Sequence, residues 1–241
     1  MNTEPALFLF DIDGTLLPLS PIHGNAFSHA FRTVYGLPLD IYSTHASGRT
    51  DKWILAEPLR RAGLSESEIW PRFPQACAAM EAFVRQHLGD LRTEVFSGVA
   101  EVLDQLQNAG QLLGLLTGNL SGIARTKMHQ AGLDQYLRVG GFGEESEVRA
   151  DLVPVALAKA SQEAGYAIAA NHAVVIGDTP LDVEAGHAYG MLTVSVATGA
   201  YTEADLRRTG TDLVLPSFAD ATTAATALLH LAASRRDKLS E

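Results

Sequence analysis

The chain has 241 residues, 46% hydrophobic and 19% charged, so it can bury a sizeable core as one or two domains. Its formal net charge of −10 argues against nucleic acid or an anionic membrane surface as a partner. No apolar run approaches the ~20 residues that cross a bilayer, and the N-terminus lacks the basic flank of a signal peptide. A single cysteine, Cys77, excludes an internal disulfide and fits a reducing compartment, so we expect a cytoplasmic protein.

The first predicted element is a buried strand that ends in two carboxylates. It lies within ALFLFDIDGTLLPLS, residues 6–20, where Asp11 and Asp13 are two residues apart. Side chains at this spacing point the same way in an extended chain. Two adjacent carboxylates cost free energy unless a cation or a proton neutralises them. An Asp13-Gly14 turn that merely reverses the chain explains the same letters, so this motif alone leaves both interpretations open.

Residues 18–94 are predicted to be helical, because no strand signal separates their helical stretches. These stretches lie at 23–36, 51–63 and 65–89. Ser65 and Glu68 have the spacing of a capping box. Kinks or breaks are indicated by three prolines: Pro58, Pro71 and Pro74. We interpret 18–94 as a helical domain inserted into an α/β domain that consists of residues 1–17 and 95–241.

The rest of the chain alternates strands and helices. Continuous apolar runs are typical of parallel strands covered on both faces. Such runs occupy 111–118, 172–179 and 191–199, with weaker candidates at 137–143 and 212–218. Helical stretches lie near 98–110, 120–131, 151–165, 180–189 and 219–234. This alternation predicts an α/β fold with a doubly wound, mostly parallel sheet.

Two of the later strands also end in polar groups. Thr117, Gly118 and Asn119 follow one strand and precede a helix, where a hydroxyl and free backbone N–H groups can bind an anion. The competing interpretation is that Asn119 or Ser121 merely caps this helix. Asp178 ends another strand, and Asp182 also suits a helix-capping acid. Ligands of doubly wound sheets bind at the carboxyl ends of the strands, so we expect these groups to meet.

Three motifs, in this order, resemble the first, second and fourth motifs of the haloacid dehalogenase-like superfamily. They are FLFDIDGTL, LLGLLTGN and VVIGDTPLDV. The helical insertion resembles the C1-type cap of phosphoglycolate-phosphatase-like members. The resemblance implies a Rossmann-like core and Mg²⁺-dependent hydrolysis of a small phosphorylated metabolite, a phosphate monoester, through an aspartyl phosphate.

The resemblance also implies residue roles. Asp11 would be the nucleophile, since a carboxylate is ionised at pH 7 without help from a base. Asp13 would be the general acid and then the base for water, which requires a raised pKa or a transiently protonated state. The phosphoryl oxygens would be held by Thr117, Gly118 and Asn119. The Mg²⁺ site would comprise Asp11, Asp13 through its carbonyl, Asp178 and Asp182.

The third motif of the superfamily supplies a lysine to the phosphoryl group, and this chain departs from it. The best-placed basic residue in EESEVRADLVPVALAKA is Arg149, whereas Lys159 lies ten residues later inside a predicted helix. Arginine keeps the charge and can contact two phosphoryl oxygens at once. We therefore assign the phosphate contact to Arg149 and keep Lys159 as the alternative.

Substrate choice is expected to depend on the inserted helices. Arg49, in HASGRTD, suits a second anionic group on the substrate, although Thr50 there also reads as an ordinary helix N-cap. Ser20, His23 and Asn25 follow the first motif closely enough to line the mouth of a site. The sequence identifies neither the physiological substrate nor the oligomeric state.

The same motifs bear on other activities of the superfamily. Asp13 disfavours a dehalogenase, because members of the dehalogenase branch of the superfamily lack an acid at that position. A phosphotransferase or mutase of the β-phosphoglucomutase type shares these motifs and stays open. A phosphonate hydrolase needs a Schiff-base lysine, and Lys52 is the one lysine within 18–94. A catalytically silent binding protein of this fold is disfavoured because each catalytic carboxylate is present.

Overall fold

A computed structural model describes residues 5–41 and 44–239. It contains one six-stranded sheet, with strands β1 Leu7–Phe10, β2 Leu112–Leu116, β3 Gly140–Gly141, β4 Ala173–Gly177, β5 Leu192–Val196 and β6 Leu213–Leu215. The α-helices of the described chain are α1 Pro21–Ala30, α2 Asp51–Arg61, α3 Glu66–Ile69, α4 Phe73–Gln86, α5 Val99–Asn108, α6 Ser121–Gln130, α7 Leu152–Ala164, α8 Pro180–Ala188, α9 Glu203–Arg207 and α10 Ala221–Leu239. A π-helical turn, Phe31–Tyr35, extends α1.

The sheet is parallel throughout and has the order β3-β2-β1-β4-β5-β6. This is the doubly wound topology that the sequence predicts, and β1 lies in the middle beside the point where the strand order reverses. All four residues of β1 are buried. Phe8 and Phe10 pack into the hydrophobic cluster on one face of the sheet, and Leu7 and Leu9 into the cluster on the other. The continuous apolar run is therefore the expected signature of a strand covered on both faces.

The helices between β1 and α5 pack around a hydrophobic cluster of their own. Phe27, Phe31, Leu55 and Met80 are fully or almost fully buried there. Helices α1 and α4 form the main contact of this segment. The cluster also receives two residues from the start of α6, Leu120 and Ile123. We call residues 18–94 the helical segment.

Local signals within the chain are borne out with one exception. Ser65 and Glu68 form the predicted capping box at α3, and Asp182 caps α8 in the same way. Pro58, however, does not break α2, which continues to Arg61. Pro58 is buried in the interior of the helical segment. The free energy gained by this burial offsets the free energy lost because a proline cannot donate a main-chain hydrogen bond. No helix of the described ranges is long and apolar enough to cross a membrane.

At the start of α2, the helical segment contacts the loops that follow β2 and β3 through main-chain hydrogen bonds. The Asp51 N–H donates to the Gly118 carbonyl at 2.7 Å, and the Lys52 N–H donates to the Gly143 carbonyl at 3.1 Å. A Cβ at Gly118 would lie 2.1 Å from the Arg49 carbonyl oxygen, and one at Gly143 would lie 1.7 Å from the Gly118 oxygen. These two glycines are therefore required by the close approach of the backbones.

Candidate active site

The carboxyl ends of β1, β2 and β4 form the floor of a cavity of about 360 Å³, and the helical segment forms its roof. Asp11 and Asp13 follow β1, Asn119 follows β2, and Asp178 follows β4. All four residues line the cavity. The structure thus brings together the strand-end groups that the sequence singled out.

Three buried carboxylates meet at the floor, where Asp11 and Asp178 line the cavity and Asp182 does not. Oxygen atoms of Asp11, Asp178 and Asp182 all lie within 4.8 Å of one another. Burial raises the pKa of Asp11 to about 6, although the Arg149 guanidinium opposes the shift. Burial, with added repulsion from Asp11 and Asp182, raises the pKa of Asp178 to about 8. Such a group of oxygen donors is suited to a hard divalent cation, whose charge would relieve the repulsion.

Arg149 lies at the edge of this group and is itself buried. Its Nη2 is 3.0 Å from the Asp11 Oδ1 and also donates to the Asp182 carboxylate and to the Leu116 carbonyl. Its Nη1 donates to the carbonyl of Gly48 in the helical segment at 3.0 Å. Burial alone would lower the pKa of Arg149, but the facing carboxylates raise it, so the guanidinium stays charged. Its buried Nε has no partner among the described atoms.

Asp13 is held by a lysine that the sequence analysis did not single out. The fully buried Lys127 of α6 donates from Nζ to both carboxylate oxygens of Asp13, at 2.6 and 2.7 Å, and to the Asn119 Oδ1 at 2.7 Å. Asn119 donates in turn from Nδ2 to Asp13 at 2.9 Å. Burial alone would raise the pKa of Asp13, but the Lys127 charge, His23 and the hydrogen bonds from Lys127 and Asn119 together outweigh it and lower the pKa. The raised pKa that the acid role requires is therefore not a property of this arrangement.

The contacts of Lys127 continue into the helical segment. Its Nζ lies 3.3 Å from the His23 Nδ1, and the His23 Nε2 lies 2.9 Å from the Asp51 Oδ2. This arrangement suits the tautomer with its proton on Nε2. Asp51 also accepts from the Leu120 N–H at 2.8 Å. A continuous polar network thus joins Asp13 to the first residue of α2.

The start of α6 is not capped by a residue of its own, as one interpretation of the sequence predicted, but by carboxylates from other segments. The N-cap residue is Leu120, so Asn119 and Ser121 do not cap the helix. The N–H groups of Leu120 and Ser121 donate instead to the carboxylates of Asp51 and Glu144. Negative groups from other segments compensate the helix dipole here, and Asn119 is free to contact Asp13.

The remaining phosphate candidates are placed as follows. Gly118 and Asn119 line the cavity. The Thr117 side chain is fully buried, and its Oγ1 accepts from the Asn119 Nδ2 at 2.8 Å. Lys159, the alternative to Arg149, donates to Glu145 and lies outside the cavity, whereas Arg149 lies within it.

The helical-segment candidates are divided between the cavity and its surroundings. Ser20 and His23 line the cavity, whereas Asn25 is exposed and does not. Arg49 also contributes to the lining, but its guanidinium stacks over the Trp53 ring at 4.6 Å. The Lys52 Nζ lies over two aromatic rings, Trp70 and Phe73, and the residue does not line the cavity. Its position gives no support to a Schiff-base lysine.

Comparison with known proteins decides the family. The family model of haloacid dehalogenase-like hydrolases matches residues 5–190. The chain belongs to this family. This haloacid dehalogenase-like chain is 30% identical over 233 residues to a phosphoglycolate phosphatase from Caulobacter vibrioides, covering 93% of this chain and 92% of that protein. It is also 28% identical over 213 residues to the tyrosine-protein kinase PtkA of Mycobacterium tuberculosis, covering 88% of this chain and 68% of that protein.

The same fold occurs in solved members of the family. CbbY from Rhodobacter sphaeroides, solved in complex with phosphate, superposes on this haloacid dehalogenase-like enzyme with a TM-score of 0.66. The alignment covers 90% of this chain and 96% of that one at 20% identity, so it bears on the fold alone. The family generally uses a divalent metal, and Asp11, Asp178 and Asp182 provide oxygen donors for one.

Asp178→Asn is expected to stabilise the metal-free hydrolase at pH 8 and to remove any stabilisation that a divalent metal confers. A carboxyl group whose pKa is raised by folding contributes stability below its unfolded pKa, near 4, and loses it as the pH rises through about 8. The stability gap between the variant and the parent therefore widens with pH, by at most about 1.4 kcal/mol per unit. Thermal denaturation with a chelator and with Mg²⁺, from pH 5 to 8, measures both effects. A lower Tm for the metal-free variant at pH 8 would contradict the prediction.

Proposed function

We propose that this haloacid dehalogenase-like enzyme is a Mg²⁺-dependent phosphatase that hydrolyses a small-molecule phosphate monoester through an aspartyl phosphate on Asp11. The observation that carries the proposal is the placement of Asp11. Its carboxylate lies in a cavity floor beside two further buried carboxylates, Asp178 and Asp182, and 3.0 Å from the Arg149 guanidinium. The phosphoglycolate phosphatase relative supports the same reaction class.

Asp11 is suited to nucleophilic attack without a separate base. Its pKa of about 6 leaves most of the carboxylate ionised at pH 7. An Asp11 oxygen bonds to phosphorus as the bond between phosphorus and the ester oxygen breaks. Arg149, which lines the cavity with its guanidinium 3.0 Å from the Asp11 carboxylate, donates to the phosphoryl oxygens. Water then cleaves the aspartyl phosphate, which releases inorganic phosphate and restores Asp11.

Asp13 handles the proton in both steps. As an acid it protonates the leaving oxygen, and as a base it takes a proton from the attacking water. Lys127 lowers the pKa of Asp13 and favours the basic form that the second step uses. The negative charge of a bound phosphate beside Asp13 would raise the same pKa and favour the acidic form that the first step uses.

The metal that we assign to the site is Mg²⁺. Asp11, Asp178 and Asp182 would hold it, together with the Asp13 carbonyl, because these are the hard oxygen donors that Mg²⁺ prefers. When bound, Mg²⁺ supplies charge that screens the carboxylates from the negative phosphoryl group.

We also propose that the helical segment, residues 18–94, is a cap domain over the sheet domain of residues 1–17 and 95–241. Its separate hydrophobic cluster supports this division. So does the cavity, whose roof comes from this segment and whose floor comes from the strand ends. Placed over the site, the segment would exclude bulk water from the aspartyl phosphate until the leaving group has departed.

Hydrolysis of p-nitrophenyl phosphate tests the proposed function. Release of inorganic phosphate is expected with Mg²⁺ and is expected to stop when a chelator removes the metal.

A second candidate, phosphoryl transfer, is favoured by the kinase among the relatives. Added alcohols or sugar phosphates distinguish the two, because a transferase places the phosphate on the acceptor and releases little of it. Absence of both products across a panel of small phosphates would refute both candidates and support a silent binding protein.

Arg149→Ala is expected to lower kcat by about 10²–10³-fold, because it removes a charged donor next to the attacking oxygen. Arg149→Lys keeps the charge but cannot reach Gly48 and the carboxylates together, so it should restore only part of the rate. Steady-state kinetics of both variants, with thermal denaturation as the folding control, measure the split between kcat and KM. Unchanged kinetics in Arg149→Ala would assign the phosphate contact to another cation.

A further inference from the structure

The roof of the cavity differs from its floor in chemical character. Among the described residues, the helical segment contributes five apolar side chains to the lining: Leu19, Phe27, Ile41, Ala46 and Ile54. The floor carries the carboxylates and Arg149. A phosphate monoester bound at Asp11 would therefore extend its leaving group toward hydrocarbon.

Three of the polar roof side chains are already engaged within the described part of the protein, whereas the exposed Ser47 is not. His23 pairs through Nε2 with Asp51, and Asp51 also accepts from the Leu120 N–H. The Ser20 Oγ accepts from the Arg92 N–H. Asp51 is buried and negative, so it would repel an anionic leaving group.

The Arg49 charge is held beside a different cleft. Its guanidinium stacks over Trp53, and Trp53 lines the neighbouring cleft together with Glu147 and Glu184 but does not line the catalytic cavity. The Arg49 main chain packs against Gly118 at the junction with the sheet domain. Within the described residues, Arg49 is therefore the one cation in the roof, and its guanidinium would have to leave the Trp53 ring to pair with an acidic leaving group.

We propose that the substrate is a small phosphate monoester whose leaving group is uncharged and mostly hydrocarbon, and this inference rests on the proposed phosphatase function. Apolar side chains that face the cavity gain free energy when hydrocarbon displaces water from them, whereas a carboxylate placed among them loses its hydration without gaining a partner. Selectivity arises from this difference. The cavity of about 360 Å³ is near the lower end of the ligand-site range, which limits the leaving group to a small one.

A matched pair of esters tests the inference. Isobutyl phosphate and 2-phosphoglycolate have the same number of heavy atoms and the same branching, but only the second carries a carboxylate. We expect kcat/KM with Mg²⁺ to be at least about tenfold higher for isobutyl phosphate, which is the scale of discrimination that an apolar pocket achieves. p-Nitrophenyl phosphate serves as the reference substrate in the same assay.

A charge placed in the roof should shift this preference. Leu19 is 66% exposed and lines the cavity, so Leu19→Lys adds a cation without disturbing the core. We expect Leu19→Lys to reduce the ratio of the two efficiencies by about fivefold or more, and Leu19→Gln, the uncharged control, to reduce it much less.

The outcomes separate this inference from the function beneath it. Hydrolysis of p-nitrophenyl phosphate with equal or higher efficiency for 2-phosphoglycolate overturns the hydrocarbon preference and leaves the phosphatase intact. Hydrolysis of p-nitrophenyl phosphate without hydrolysis of isobutyl phosphate overturns it as well. Loss of all hydrolysis refutes the proposed function, and the inference falls with it.

Discussion

Asp11→Asn is expected to abolish phosphatase turnover, with a loss of kcat of about 10⁴-fold or more, while the protein stays folded. An amide cannot form the aspartyl phosphate. The fold is expected to survive for two reasons. The substitution removes the free-energy cost of burying a charged carboxylate, and Arg149 keeps its contact with Asp182. Mg²⁺-dependent hydrolysis of p-nitrophenyl phosphate measures the loss.

The matched control is Asp104→Asn, which makes the same chemical change on the exposed face of α5. It removes the charge of the acceptor but leaves an amide oxygen for the Tyr136 hydroxyl, and it touches no residue of the cavity. Its kcat should equal that of the parent. Near-normal turnover in Asp11→Asn, with a folded protein by thermal denaturation, would place the nucleophile elsewhere.

Lys127→Met is expected to lower the free energy of unfolding by about 3 kcal/mol at pH 7, because it leaves Asp13 charged in a mostly buried position. The pKa of Asp13 is lowered in the folded protein, so its stabilisation is present above the unfolded pKa, near 4. That stabilisation is lost as the pH falls through the folded-state pKa. The stability gap between parent and variant should therefore narrow below pH 4. Urea denaturation from pH 7 to 3.5 measures it.

A double-mutant cycle with Asp13→Asn isolates the interaction. The double variant should be more stable than the sum of the two single changes predicts, by about 1–3 kcal/mol. Arg125→Met, on the exposed side of the same helix, is the control and should cost less than about 0.5 kcal/mol. Additive effects of Lys127→Met and Asp13→Asn would mean that the ion pair contributes nothing to stability.

The strands and their polar ends could be predicted from the sequence because burial on both faces leaves a distinctive pattern. The run that contains β4 is continuously apolar until Asp178, and the structure buries each of its residues. The same logic placed Asp11 and Asp178 at one edge of the sheet, where they meet. Capping at α8 was equally accessible, because the spacing from Thr179 to Asp182 is a local property.

The role of Lys127 could not be predicted in this way, because the sequence around it is typical of an ordinary helix end. A lysine in the last turn of a helix is favoured by the helix dipole, and α6 has Lys127 and His129 there. One signal was present. Lys127 follows Ile123 by four residues and Ala124 by three, so it lies on the buried stripe of α6. A charged residue on an apolar stripe requires a buried partner, and here that partner comes from a motif 114 residues away.

The acid strength of Asp13 was beyond the sequence for the same reason. A neighbouring carboxylate and burial predict a raised pKa, and in the structure burial acts in that direction while Lys127, His23 and two hydrogen bonds act against it. Their sum depends on the distance to Lys127, which is a tertiary quantity. Arg149, by contrast, was placed correctly beside Asp11, because its separation from the last motif reflects one helix and one connection.

The main-chain junction between the helical segment and the sheet allows substrate selectivity to evolve while the reacting groups stay in place. Gly118 and Gly143 hold the two parts in register through backbone contacts that do not depend on the side chains above them. Leu19 and Ile41 face the cavity and make none of these contacts. Such positions are open to mutational drift or to a combinatorial library, while the reacting groups beneath keep their alignment.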